Sequence, residues 1–205
     1  MKKSLFITFE GIEGSGKSTQ IALLAEYIKA RGYEVTVTCE PGGTTVGEAI
    51  RRILLNPEFA EMDYHTEVLL YAADRAQHVA ELIMPALNKG NIVISDRYID
   101  SSIAYQHFGR GMPLDLIMDV NDRATQGLKP NITFLLVVPT ELGLSRATQV
   151  KADRIEQESI EFHTRVEAGF QELAAKEPGR WLVVDGTRSV DEIHQVVVEA
   201  LEPFL

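Results

Sequence analysis

The chain has 205 residues, with 20 lysines and arginines against 30 aspartates and glutamates, so its net charge is −10. That balance excludes a non-specific grip on nucleic acid, which rewards a basic surface, and no apolar run is long enough to cross a bilayer. The single cysteine, Cys39, cannot close an internal disulfide, and its place in a strand-like run predicts a buried structural thiol. The short stretch Met1-Lys2-Lys3-Ser4 leaves no room for a secretory leader and predicts a cytoplasmic protein.

The first predicted strand, residues 5–9, runs into Gly11-Ile12-Glu13-Gly14-Ser15-Gly16-Lys17-Ser18-Thr19. A helical pattern follows to about Ala30, with apolar positions at Ile21, Leu24 and Ile28. The spacing G-x-x-x-x-G-K-[ST] has a mechanical basis: glycines let backbone N–H groups turn inward around a phosphate, and the helix adds its positive end. Lys17 then reaches the β- and γ-phosphates of a nucleotide, and the Ser18 hydroxyl is placed to coordinate Mg²⁺. A β-rich run before the motif and a helix after it supply the context that separates a phosphate loop from an ordinary glycine-rich turn.

The second strand, 34–39, ends in Glu40-Pro41-Gly42-Gly43-Thr44, which enters a helix through Gly47, Glu48 and Arg51; a plain connecting loop and a site segment fit it equally. The longest helical pattern starts near Thr66, capped by Asp63 or Thr66, and runs toward Pro85, where a break is expected. On it Tyr71, Arg75 and His78 stand at i, i+4 and i+7, which puts an aromatic ring and a guanidinium on one face. A solvated or interfacial face has the same pattern, and His78 reads as a helix-face hydrogen-bonder.

The third strand, 91–95, leads to Asp96-Arg97-Tyr98, then Asp100-Ser101-Ser102 and Tyr105-Gln106 on a short helical turn. An acidic residue at a strand's carboxyl end beside a phosphate loop is placed to hold Mg²⁺ through water, and Arg97 points to the same cleft; a strand-end ion pair is the alternative. After the fourth strand, 132–138, a helix covers 139–147. The pattern breaks over 148–153, and a second helix takes in Glu156, Ile160, Phe162, Val166 and Phe170. Arg146, Lys151 and Arg154 lie between them, on what reads either as a solvated helix–loop–helix or as a movable lid, about 146–156, that carries positive charge over a transferring phosphoryl group. The last strand, 181–185, and a helix from about Val190 complete the chain.

Five β-rich runs alternating with helices predict βαβ units: an α/β three-layer sandwich of the P-loop NTPase type, with a five-stranded parallel sheet covered by helices on both faces. The continuously apolar runs Ile92-Val93-Ile94 and Phe134-Leu135-Leu136-Val137-Val138 predict central strands. No repeat or long linker divides the chain, so one domain over 1–205 is expected.

Residues 11–19, Glu40-Pro41-Gly42-Gly43-Thr44, Leu70-Tyr71-Ala72-Ala73-Asp74-Arg75, Asp96-Arg97-Tyr98 with Asp100-Ser101-Ser102-Ile103-Ala104-Tyr105-Gln106, and Asp153-Arg154-Ile155-Glu156 together resemble the thymidylate kinase family, in order and over nearly the whole chain. The resemblance implies transfer of the γ-phosphoryl of ATP to dTMP, giving dTDP and ADP with Mg²⁺ on the way to dTTP, by a homodimer. Carried over by position, residues 11–19 hold the ATP phosphates, with Arg146 and Lys151 from the lid, and Ser18 and Asp96 hold the metal. Glu13 contacts the deoxyribose end of dTMP, and Arg75 and Arg97 hold the acceptor and its phosphate. Tyr71 stands where the family has an aromatic ring on thymine, often phenylalanine, so its hydroxyl needs a partner of its own. Ser101, Ser102, Tyr105 and Gln106 line the base and sugar, and Pro41 and Arg51 add substrate contacts.

Some family members carry an arginine in the phosphate loop where this chain has Gly14, and others place the catalytic arginine in the lid. The chain resembles the second type, with Arg154 as the lid arginine and Lys151 where a guanidinium is expected, so Lys17, Arg97, Arg154 and Glu13 form the implied catalytic set. The acceptor phosphate is already an anionic nucleophile, so no general base of raised pKa is required. Another acceptor would keep Lys17 but should lose one of the two acceptor-phosphate arginines. A guanine-reading Asn-Lys-x-Asp is absent from the chain, which excludes a switch-type GTPase.

Overall fold

Successive strand residues face opposite sides of a sheet, and β1 (Leu5–Glu10) shows the consequence in the computed structural model, which describes residues 4–147 and 152–205. Leu5, Ile7 and Phe9 enter one apolar layer and Phe6 enters another. The chain continues through α1 (Lys17–Ala30), β2 (Val35–Cys39), α2 (Thr45–Leu54), α3 (Tyr64–His78), α4 (Met84–Asn88) and β3 (Ile92–Asp96). Then come α5 (Ile99–Ser102), α6 (Leu114–Thr125), β4 (Ile132–Val137), α7 (Thr140–Ala147), α8 (Ile160–Lys176), β5 (Trp181–Asp185) and α9 (Val190–Leu201). All strand pairs are parallel, in the order β2-β3-β1-β4-β5, so the strand that feeds the phosphate loop is central and the two apolar runs flank it.

One face of the sheet is covered by α1 and α9, through Leu24, Ile28, Val197 and Leu201. The other is covered by Val79 and Ile83 over Phe6 and Val93, and by Phe162, Val166 and Phe170 of α8 over Leu135 and Trp181. The α/β three-layer arrangement is therefore as expected, with strand ends moved by at most one residue. Among the described residues no helix is long and apolar enough to cross a membrane.

Three local expectations are corrected. The break foreseen at Pro85 falls earlier: α3, capped by Asp63 through the N–H groups of His65 (2.9 Å) and Thr66 (3.3 Å), passes into a π-type turn at Val79–Ile83. Pro85 follows in α4, which continues the same helix, so its missing N–H falls directly after the π-type turn, where the regular i→i−4 ladder is already interrupted. Glu156 lies in a turn, because Ser159 caps α8 and the helix starts only at Ile160. Cys39, at the last position of β2, is half-buried and lines the cleft described below, since the sheet is open at its strand ends.

The core prediction concerns β4. Phe134 is wholly buried, with its ring 5.0 Å from that of Phe9 on β1. Phe134→Ala should lower the unfolding free energy by about 3–5 kcal/mol in urea titrations, the usual loss for emptying an aromatic site in a close-packed core.

Candidate active site

β1 ends where the phosphate loop begins. Gly16, in the left-handed region at φ 98°, precedes α1 with no side-chain cap, so the first N–H groups of that helix are left for an anion. Gly14, at φ 69°, is held against α7: a Cβ there would lie 2.1 Å from the carbonyl oxygen of Gly143. Lys17 is buried and donates to the carbonyls of Gly11 and Ile12, both at 3.0 Å, and to Ser15 Oγ at 3.4 Å. Burial and the neighbouring Arg97 guanidinium bring its ammonium down to about 8. The Ser18 hydroxyl donates to Asp96 Oδ2 at 3.5 Å, and Asp96 Oδ1 is buried with no partner among the described residues. Those oxygens fit a hard divalent cation held by one carboxylate and a hydroxyl beside phosphates, although no cluster of three or more His, Cys, Asp or Glu gathers among the described residues.

A cleft of about 660 Å³ opens from this loop across the carboxyl ends of β2 and β3. It is lined by Glu13 and residues 14–19 of the loop, and by Pro41, Arg51, Tyr71 and Arg75 on one side. Asp96, Arg97, Ser101, Ser102, Tyr105 and Gln106 line the other, so segments far apart in the chain converge. Gly11 and Ile12 lie behind the loop and serve as acceptors for Lys17. Arg51 Nη1 donates to the carbonyl of Pro41 at 2.7 Å. The Tyr71 hydroxyl forms no hydrogen bond among the described residues, and burial pushes its pKa up.

Each acceptor-side arginine is held by a carboxylate. Arg97 has left-handed backbone, φ 71°; its N–H donates to the carbonyl of Phe9 (2.9 Å), its Nη2 to Glu13 Oε1 (2.8 Å) and its Nη1 to Ser101 Oγ (3.1 Å). The Tyr105 hydroxyl closes on Glu13 at 2.7 Å. Burial opposes ionisation of Glu13, but Arg97, Lys17 and Tyr105 together hold its carboxyl below the usual range. Arg75 is 1% exposed; its Nε donates to Glu40 Oε2 at 2.7 Å, its Nη1 to Ser102 Oγ (2.8 Å) and to Asn121, and its Nη2 to the carbonyl of Tyr98 (3.2 Å). His78 also meets Glu40, at 2.9 Å, so it bonds along the helix face and stays out of the cleft.

Beyond Glu13, Ser101 and Ser102, sequence reasoning did not assign the residues that do this holding. Glu40 was visible only as part of a turn. Glu10, pushed up to about 8 by burial and by Asp100, accepts the N–H of Tyr98 (2.9 Å) and the hydroxyl of Ser101 (2.6 Å). Asp74, raised to about 6 by burial and Glu40, accepts the N–H of Gly42 at 2.9 Å. An acidic residue at the end of an apolar strand, as Glu10 is, was the one signal available.

The lid residues divide. Arg146 is exposed on α7 and reaches the carbonyl of Gly14 at 3.4 Å, beside the phosphate loop. Lys151 lies outside the described residues. Arg154, expected to swing over the cleft, is 5% exposed here; its Nε donates to the carbonyl of Leu54 (2.7 Å) and its Nη2 pairs with Glu67 (2.6 Å). A guanidinium with two such partners is anchored beneath the site, and the lining falls to its neighbours Asp153, Ile155 and Glu156.

A phosphate loop on the central strand, with a second basic pocket across the same strand ends, defines a P-loop phosphotransferase. The family profile described as thymidylate kinase matches residues 9–197. Among similar curated proteins, the thymidylate kinase of Sulfurihydrogenibium sp. is 50% identical over 197 residues, 96% of each chain. That of Halothermothrix orenii is 49% identical over 207 residues, 99% of each. The crystal structure of thymidylate kinase from Ehrlichia chaffeensis superposes with a TM-score of 0.78 at 38% identity, covering 97% of this chain and 98% of that one. The chain belongs to the thymidylate kinase family.

Two outcomes follow from the site geometry. Because the Lys17 ammonium titrates near 8, nucleotide affinity should fall as pH rises through about 8, where the lysine loses its charge. Calorimetric ATP titrations between pH 7 and 9 would read this, and Lys17→Met should flatten the profile. Arg154→Ala should cost about 3 kcal/mol in urea unfolding, as expected when one partner of a buried ion pair is removed. Unchanged stability beside a collapsed kcat would instead restore Arg154 to the role of a mobile catalytic guanidinium.

Proposed function

We propose that this chain transfers the γ-phosphoryl of ATP to dTMP, giving dTDP and ADP. Family membership carries the activity. The observation that supports the site assignment is the convergence of Lys17, Arg97, Arg75 and Gln106 on one cleft at the strand ends. The fit of Ser18 and Asp96 to a hard cation supports Mg²⁺ as the metal, which when bound would neutralise phosphate charge.

An oxygen of the dTMP phosphate attacks the γ-phosphorus, the bond to the β-phosphate oxygen breaks, and ADP carries away the electron pair. The dTMP phosphate needs no general base, so the work of the protein is alignment and positive charge around the equatorial oxygens. On this reading the N–H groups of the loop cradle the ATP phosphates, and Lys17 leaves its carbonyl partners for their oxygens. Arg97 meets the acceptor phosphate, its guanidinium held by Ser101 and Glu13. Tyr71 stacks on the base, Ser102 and Tyr105 border base and sugar, and Pro41 and Arg51 close the wall. Glu13 orients Arg97 and faces the sugar. Arg146, beside Gly14, and Lys151 are the lid cations of the 146–156 segment, whereas Arg154 anchors its root.

The reading extends to a cytoplasmic homodimer. Support for self-association is the apolar surface on the neighbouring helices α2, α3 and α6, where Ile53, Leu69 and Met118 are 42%, 59% and 48% exposed. Sedimentation equilibrium would read it.

The assay that tests the function couples ADP formation to dTMP, dUMP, dCMP and dGMP in the presence of ATP and Mg²⁺. dTMP should be strongly preferred over dCMP and dGMP, but over dUMP by only about 10–200-fold, the value of one methyl in an apolar pocket. Lys17→Ala should remain folded and lose several orders of magnitude in turnover. An equal response to dCMP or dGMP would refute the pocket assignment, and near-normal turnover by Lys17→Ala would refute the phosphate loop.

A further inference from the structure

Glu67, on α3, does not itself line the cleft and was not singled out by any sequence motif, yet it is fully buried, accepts three hydrogen bonds and meets a further guanidinium nitrogen in an ion pair. Gln106 Nε2 donates to its Oε1 at 3.0 Å, Arg110 Nε donates to the same oxygen at 3.3 Å and Arg110 Nη2 to Oε2 at 3.1 Å. Arg154 Nη2 pairs with Oε2 at 2.6 Å. Burial disfavours its charge, but the two guanidiniums outweigh burial and hold the carboxyl below the usual range.

An ionised carboxylate only accepts hydrogen bonds, so the amide of Gln106 has one permitted orientation: the NH₂ faces Glu67. The reverse would set two oxygens against each other in a buried site, leaving both unsatisfied. Gln106 lines the cleft, and its Oε1, which has no partner among the described residues, is the atom it has to offer. Arg75 lines the same cleft with its Nε, both Nη1 hydrogens and one Nη2 hydrogen in use, which leaves one N–H without a partner among the described residues. One fixed acceptor beside one fixed donor complements the N3–H and 4-oxo edge of a thymine or uracil. A cytosine offers the opposite pattern at both atoms, acceptor N3 and donor 4-amino.

We propose that Glu67 is a positioning residue for base specificity: it fixes the amide of Gln106 so that a 4-oxo pyrimidine is accepted and a 4-amino pyrimidine refused. This rests on the assignment of the cleft as the dTMP site. In Glu67→Gln, Arg110 and Arg154 claim the single remaining oxygen, so the new NH₂ faces Gln106. The Gln106 amide then turns over and presents its own NH₂ to the cleft.

The test is kcat/KM for dTMP, dUMP and dCMP with the wild type and Glu67→Gln. The dTMP:dCMP preference should fall at least about tenfold, because a hydrogen-bonding match becomes a mismatch, while the dTMP:dUMP preference stays within about twofold, because the 5-methyl pocket is untouched. An unchanged dTMP:dCMP ratio, or an equal fall in both ratios as general loosening would give, overturns the proposal. A wild type that does not use dTMP overturns the acceptor site and this inference together; a selective wild type beside an equally selective variant overturns the inference alone. Should Glu67→Gln not fold, NMR of the wild type decides. The side-chain NH₂ of Gln106, assigned by its absence in Gln106→Leu, should exchange slowly with water and keep its NOE to the Glu67 Cγ protons with and without dTMP; fast exchange, or loss of that NOE when dTMP binds, overturns the proposal.

Discussion

Three guanidiniums around the cleft are each held by a carboxylate: Arg97 by Glu13, Arg75 by Glu40 and Arg154 by Glu67. The rest of the site depends on these pairs. Burying an ion costs several kcal/mol and is repaid only where geometry is good and the remaining donors are satisfied. Each arginine therefore collects further acceptors: Ser101 for Arg97, Ser102, Asn121 and the carbonyl of Tyr98 for Arg75, the carbonyl of Leu54 for Arg154. In a chain of net charge −10, this is how positive charge is kept in one place without being neutralised at random.

The same pairs tie the site to the fold. Glu13 follows β1 and Arg97 follows β3, so their pair ties these two strand ends across the opening of the sheet, while Glu40, after β2, ties its strand end to Arg75 on α3. Arg97 carries the backbone consequence. Its left-handed φ is uncommon for a residue with a side chain, and it is held there by the carbonyl of Phe9 on one side and by Glu10, through Tyr98 and Ser101, on the other. Lys17 stands apart, since its partners are three loop oxygens and not a carboxylate. A phosphate can displace such neutral acceptors more readily than it could break a buried ion pair.

Much of this was legible because it is local. Phosphate-loop spacing needs only consecutive residues, apolar alternation needs only a period of two, and the Asp63 cap needs only a few residues of context. Residues that pair across long separations left no such mark. Glu40 and Arg75 are 35 positions apart, Glu10 and Ser101 91, and the carbonyl of Leu54 is 100 from Arg154. Arg154 shows what this costs a reading: its position between two helices pointed to a moving lid, and the structure buries it on a helix from the other half of the chain.

By itself the sequence determined the alternation of strands and helices, the phosphate loop on a strand-to-helix turn, and which side chains were available to a phosphotransferase. Those follow from periodicity and backbone stereochemistry, which act between near neighbours. Only the tertiary structure decided which carboxylate holds which guanidinium, that Arg154 lies buried against Glu67, and that Gln106 meets the same carboxylate. Such pairings depend on how strands β1, β2 and β3 and helix α3 pack, and burial in that packing turns an ordinary glutamate into a group that accepts only what faces it.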